Sequence, residues 1–164
     1  MANSNSSIDL TTATILIFGA SGDLTARKLI PALYDLWSEG FLSADLPIIG
    51  LARREKTDEQ FRIEQRDTVA QFTRTGTVTD EKWATFSKRL FYREVDITDE
   101  ADHAKLKSSI EAVERETLGD VITKRVAYLA TDPSLFYPAV QALSRAQMVP
   151  RNTAEEWLRV VIEK

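Results

Sequence analysis

The sequence predicts an α/β domain built on a doubly wound parallel sheet with helices on both faces. Three observations lead there. Short apolar runs rich in β-branched residues alternate with amphipathic segments along the chain, which is the pattern of βαβ units. Within each run the apolar residues are consecutive rather than alternate, as strands buried on both faces require. The chain has 164 residues and is 43% hydrophobic, enough for one domain with its own core.

Taken in order, residues 1–12 are polar and are expected to form a disordered leader. ATILIFGA, from Ala13, reads as the first buried strand. GDLTARKLIPALYDLWSEG follows as a helix, with Leu29, Leu33 and Leu36/Trp37 at helical spacing and Gly40 as its stop. Pro31 is expected to kink it. LPIIGLAR is the second strand. TDEQFRIEQRDTVAQF is a helix opened by a capping box, Thr57 with Gln60 three residues later. TDEKWATFSKRL is a further helix. Phe61, Val69, Phe72, Trp83 and Phe86 are expected to pack beneath these two.

LFYREVD is the third strand. TDEADHAKLKSSIEAVERE is a helix with acids in its first turn and Leu106, Ile110 and Val113 on one face. Its dense charge reads as a solvated face with local ion pairs, and His103, the sole histidine, is expected at the surface. RVAYLAT is the fourth strand. Asp132 and Pro133 supply an N-cap and first helical residue for SLFYPAVQALSRAQ. EWLRVVIEK is the fifth strand, with Trp157 buried at its start. No closing helix follows, so the domain, residues 13–164, is expected to be incomplete at its C-terminus and to be the front part of a longer protein.

The totals exclude several classes. The formal net charge is −4 and the pI about 5.1, which argues against a nucleic-acid partner, since phosphate backbones select basic faces. There is no cysteine, hence no disulfide framework and no thiolate metal site. The N-terminal residues lack the basic start and apolar core of a signal peptide. No run of ~18 apolar residues offers a membrane span. The expected location is cytoplasmic.

The chemistry concentrates after the first strand. Gly19 ends that strand and Gly22 opens the helix. Glycine permits positive φ and the close approach of a phosphate to the backbone. The helix start adds unpaired N–H groups and the positive end of a dipole, and Ser21 adds a hydroxyl donor. The alternative is that the glycines only make a tight turn. A Walker loop fits worse, because Asp23 follows Gly22 where Lys is needed. The Tyr-x-x-x-Lys pair of short-chain reductases is absent too. Tyr34, Tyr92, Tyr128 and Tyr137 are followed at the fourth place by Ser38, Asp96, Asp132 and Gln141.

The second strand ends in Arg53 and Arg54 rather than an acid. In dinucleotide-binding folds an acid there takes the ribose 2′-OH of NAD, and an arginine accommodates the 2′-phosphate of NADP. Guanidiniums suit phosphate bidentately, so NADP is preferred. Two solvated arginines capping a strand are the alternative, and Glu55 beside them would partly neutralise the pair.

GASGDLTARKLIPAL resembles the signature at the start of the glucose-6-phosphate dehydrogenase family, whose turn reads Gly-x-x-Gly-Asp-Leu-Ala before basic residues and a helical proline. Thr25 stands for the usual alanine. IIGLARR, YLATDPSLF and RVVIEK resemble three later family segments, in the family's order. The resemblance implies a Rossmann-like NADP-binding domain of an enzyme that oxidises glucose 6-phosphate to 6-phosphogluconolactone at the entry to the pentose phosphate pathway. It implies that Gly19, Ala20, Ser21, Gly22, Asp23, Leu24 and Thr25 hold the pyrophosphate, with Lys28 near it. Arg53, with Arg54, would take the 2′-phosphate. Ala130 and Pro133 would flank the nicotinamide, and Lys164 would touch the sugar phosphate.

Asp23 accepts hydrogen bonds only when ionised, so a helix-start role suits it better than phosphate contact. The family's catalytic histidine motif, Arg-Ile-Asp-His-Tyr-Leu-Gly-Lys, is not in this sequence, nor is the substrate domain with its homo-oligomer interface. The isolated chain is therefore expected to bind coenzyme without turnover. Two other classes stay open: a reductase or epimerase on the same fold, and a free-standing NADP-binding or regulatory module.

Overall fold

The computed structural model describes residues 13–121 and 124–163. The expected leader and Lys164 lie outside the described residues. Strand β1 (Ala13–Phe18) leads through a single π-helical turn (Thr25–Leu29) into α1 (Ile30–Ser38). There follow β2 (Ile48–Ala52), α2 (Asp58–Phe72), α3 (Asp80–Ser87), β3 (Leu90–Glu94), α4 (Glu100–Leu118) and β4 (Lys124–Leu129). A short 3₁₀ turn (Pro133–Leu135) then opens α5 (Phe136–Arg145), and β5 (Trp157–Ile162) ends the sheet.

All five strands are parallel, in the order β3-β2-β1-β4-β5. β1 sits at the centre, with Phe18 opposite Leu51 on one side and Leu129 on the other. The two faces of β1 feed two cores. Leu16 and Phe18 pack with Leu106, Ile110 and Val113 of α4 and Ala139, Ala142 and Leu143 of α5. Ile17 faces the other way, onto Ile30 and Tyr34 of α1, Phe61 and Val69 of α2, and Trp83 and Phe86 of α3. This is why β1 and β2 read as continuous apolar runs: both their sides are covered, whereas β5 at the sheet edge is exposed from Arg159 to Ile162.

The local signals worked where they rest on one residue's chemistry. The Thr57 hydroxyl accepts from the Gln60 backbone N–H at 3.1 Å, and the Gln60 side chain accepts from the Thr57 N–H at 2.9 Å. Asp132 caps the Pro133 turn by accepting from Ser134 N–H at 2.9 Å. Gly40 ends the first helix at φ +80°. Trp157 is buried at the head of β5.

Three expectations are corrected. In the first helix Leu29, Leu33 and Trp37 pack on the core as their spacing implies, beside the fully buried Ile30, Pro31 and Tyr34, but Leu36 is exposed. Pro31 sits in the turn just after the π turn, where a missing N–H is tolerated. Second, His103 of α4 is not at the surface but only 4% exposed, and Glu114 of the same helix is fully buried. Both fall on the stripe of Leu106, Ile110 and Val113 that faces the sheet. Third, Phe72 is half-buried, with the Arg27 guanidinium 5.2 Å above its ring.

Gly50, in β2, is a close-packing point the sequence does not flag. A Cβ there would lie 2.7 Å from Ala20 Cβ and 3.1 Å from the Phe61 ring. Gly50→Ala is expected to lower stability by about 1–3 kcal/mol through overpacking. A thermal melt no lower than that of the parent chain would refute it.

Candidate functional site

The chain runs from β1 outward to β2 and β3, then returns to the other side of β1 as β4. Between β1 and β4 the strand order reverses, and the crevice outside the carboxyl ends of the strands there is where open α/β sheets bind ligands. A cavity of about 320 Å³ occupies that place.

The glycine turn forms its floor. Gly19 has φ +85°, the left-handed region. A Cβ on it would meet the Ala130 carbonyl oxygen at 2.4 Å, so the turn lies directly against the end of β4. Gly19 and Ala20 N–H both donate to Leu51 O, at 2.9 and 3.2 Å, and Gly22 N–H closes the turn onto Gly19 O at 2.9 Å. The Thr25 hydroxyl donates to the same Gly19 carbonyl at 3.1 Å. Gly22 is not left-handed; its lack of a side chain leaves room beside Gly19 O, 3.1 Å from where a Cβ would stand.

Of the residues singled out in the sequence, Gly19, Ser21, Gly22, Arg53, Arg54 and Ala130 line this cavity together. The others do not. Ala20 is buried beneath the turn against β2, and Thr25 is buried under it, holding Gly19. Leu24 precedes the π turn and caps nothing with its side chain. Asp23 is exposed and pairs with Arg27 one turn on, at 3.3 Å, rather than capping the helix. Lys28 and Pro133 are exposed outside the lining.

Arg53 and Arg54 are exposed at the end of β2. Among the described residues neither guanidinium has an ion pair or a side-chain hydrogen bond, and the expected neutralisation by Glu55 is not formed. By contrast Arg93 pairs with Asp58 at 2.8 Å and Arg125 with Glu114 at 2.8 Å. The backbone beneath the pair is fixed by a residue the sequence reading missed. Tyr92 of β3 donates its hydroxyl to Arg54 O at 2.6 Å. Burial, reinforced by the Glu64 and Glu94 charges, pushes that phenol up to about 12, so it stays a donor at neutral pH. Only knowledge that β3 lies beside β2 could have revealed this.

The remaining wall was also missed. It is the segment after β3, Val95 to Thr98, with Thr131 and Asp132 after β4. α4 braces the segment: Asp96 N–H donates to Asp102 Oδ2 at 2.8 Å, and His103 Nε2 bonds Ile97 O at 2.8 Å. His103 is thus a buried support behind the cavity and is not part of its lining.

Comparison with known proteins gives a consistent result. Residues 16–164 match the family described as glucose-6-phosphate dehydrogenase, NAD binding domain. The chain is 37% identical over 154 residues to glucose-6-phosphate 1-dehydrogenase of Chlamydia muridarum, covering 92% of this chain and 30% of that protein. It is 30% identical over 164 residues to the chloroplastic glucose-6-phosphate 1-dehydrogenase 3 of Arabidopsis thaliana, covering 100% and 26%. Among solved structures, a glucose-6-phosphate dehydrogenase in complex with its substrate glucose-6-phosphate superposes with TM-score 0.75 at 32% identity, over 93% of this chain and 30% of that one. The chain therefore spans about 30% of the length of such relatives. No helix among the described residues is long and apolar enough to cross a membrane.

Proposed function

The chain belongs to the glucose-6-phosphate dehydrogenase family, and from that premise we propose that it holds NADP in the cavity at the strand ends, as the coenzyme-binding part of an enzyme oxidising glucose 6-phosphate to 6-phosphogluconolactone. The observation that carries the reading is the pair of uncommitted guanidiniums, Arg53 and Arg54, lining the same cavity as Gly19 and Gly22. The residues fit the coenzyme. The turn gives a diphosphate a backbone with no side chain in its way. Ser21 offers a hydroxyl, and the guanidiniums offer planar donor forks to a 2′-phosphate.

The bound coenzyme supplies a hydride acceptor. What this chain contributes is position. The turn and the strand ends would hold the diphosphate and ribose, and Ala130, directly against Gly19, would border the nicotinamide end. Glycine-turn residues outside the lining support the site instead of touching ligand: Thr25 by its bond to Gly19, Ala20 by its packing on β2. Lys164 toward the sugar phosphate is part of the same proposal. The base needed at the sugar's C1 is not His103, which is buried behind the cavity, outside its lining, with Nε2 bonded to Ile97 O.

Titration of the chain with NADP and NAD, followed by tryptophan fluorescence or calorimetry, tests the proposal. Arg53→Ala is expected to weaken NADP about 10- to 100-fold, the worth of a charge-assisted bond to phosphate, and to change NAD little. Equal loss for both coenzymes, or no saturable NADP binding by the parent chain, would overturn it.

A further inference from the structure

Asp96 is a charged group of the cavity wall to which the coenzyme reading gives no role. Across the strand ends the order is Asp96 after β3, Arg53 and Arg54 after β2, then Gly19 after β1. Asp96 therefore follows the strand that lies on the far side of β2 from the glycine turn. It is also held in place. One oxygen accepts from Thr98 N–H at 2.9 Å and from Thr98 Oγ1 at 2.6 Å. The other makes no hydrogen bond among the described residues. The Asp96 N–H is anchored on Asp102, and the next carbonyl on His103, so the backbone that carries the carboxylate is tied to the start of α4.

The Thr98 bonds hold the Asp96 carboxyl below the ordinary carboxylate value, and the Arg53 charge adds to them. The group is thus ionised at neutral pH and within electrostatic reach of Arg53.

We infer that Asp96 sets the coenzyme preference of this site by opposing the 2′-phosphate that Arg53 attracts. A phosphate monoester near neutral pH carries about −1.5 to −2 charge, and a fixed carboxylate across the same small cavity repels it. A free 2′-hydroxyl meets no such penalty and finds an acceptor in the unengaged oxygen. The site consequently takes both nicotinamide dinucleotides, with less discrimination than two free guanidiniums alone would give.

The inference rests on the coenzyme reading above, and the experiment separates the two. NADP and NAD affinities are measured for the parent chain, Asp96→Asn and Asp96→Ser, at low salt. The serine keeps a hydroxyl acceptor for the turn, so one neutral variant remains if the other fails to fold. Circular dichroism confirms folding. Both neutral variants are expected to bind NADP about three- to tenfold more tightly, as removal of a like charge at several ångströms implies, and NAD no more tightly than before. Asp96→Glu, which keeps the charge, is expected to retain the parent ratio. An unchanged or lower NADP-to-NAD ratio in a folded neutral variant overturns this inference and leaves the coenzyme reading intact. Failure of the parent chain to bind either coenzyme overturns both.

Discussion

Glu114→Ala is expected to destabilise the domain by about 3–5 kcal/mol, the cost of stranding a buried charge. Glu114 lies on α4 with no exposed surface, and it meets Arg125 of β4 through two hydrogen bonds of 2.8 Å. Thr14 of β1 donates its hydroxyl to the same carboxylate at 3.0 Å. One carboxylate thus ties α4 to two adjacent central strands. Removing it leaves the Arg125 guanidinium buried and the Thr14 hydroxyl without its acceptor. Domains of this size are stable by only about 5–15 kcal/mol, so the loss is a large share of the total. The check is the denaturant midpoint, with the double variant Glu114→Leu, Arg125→Met as comparison. Replacing both partners by apolar groups is expected to recover most of the stability, because the pair's net worth is small even though breaking it is costly. A single variant within 1 kcal/mol of the parent, as a rough threshold, would show that the pair is not desolvated as the structure has it.

Gly19→Ala is expected to cost about 3 kcal/mol or more and to abolish coenzyme binding in whatever protein stays folded. Two effects combine. The φ of +85° is unfavourable for any residue with a Cβ, and the added methyl would stand 2.4 Å from Ala130 O and 2.9 Å from its carbonyl carbon. Both obstacles are backbone, so neither can swing aside. Either β4 moves from β1 or the turn rebuilds with a different course. Gly40→Ala isolates the first effect: φ is +80° there, but nothing lies within 4 Å of the added methyl. It is expected to cost only about 1–2 kcal/mol. Thermal unfolding of the two variants, with NADP titration of each, makes the comparison. Equal destabilisation would mean the contact with β4 is absent in solution.

The elements that the sequence made legible are those whose signal is local. A strand covered on both faces must be apolar at every position, and a capped helix announces its first turn. Arg53 and Arg54 were legible because the end of the second strand has a fixed place in this topology. In α4 the apolar stripe was legible, but the surrounding charge hid that His103 and Glu114 share it. His103 is three residues before Leu106, and Glu114 four after Ile110, so spacing was the signal that outweighed composition there. Tyr92 and Asp96 were not legible as site residues at all. Both belong to β3 or its exit: Asp96 reaches the cavity, and Tyr92 the backbone of Arg54, only because β3 lies beside β2, a neighbour relation that no local pattern contains. Gly50 has ordinary backbone angles, so only its neighbours betray why it is glycine.

The central position of β1 also orders the assembly of the domain. Ile15 pairs with Ile48 on one side and with Val126 on the other. The sequence gaps are 48 − 15 = 33 and 126 − 15 = 111 residues. Closing the longer loop carries an extra entropy cost of about 1 kcal/mol, and long-range parallel pairing is slow. The β1–β2–β3 half can therefore come together while β4 is still unattached. In such a partly folded chain Arg53 already stands beside the glycine turn, but Ala130 is not yet against Gly19. The candidate site is thus completed only when the longest-range pairing of β1 is made, and a ligand that needs all four strand ends reports on that pairing.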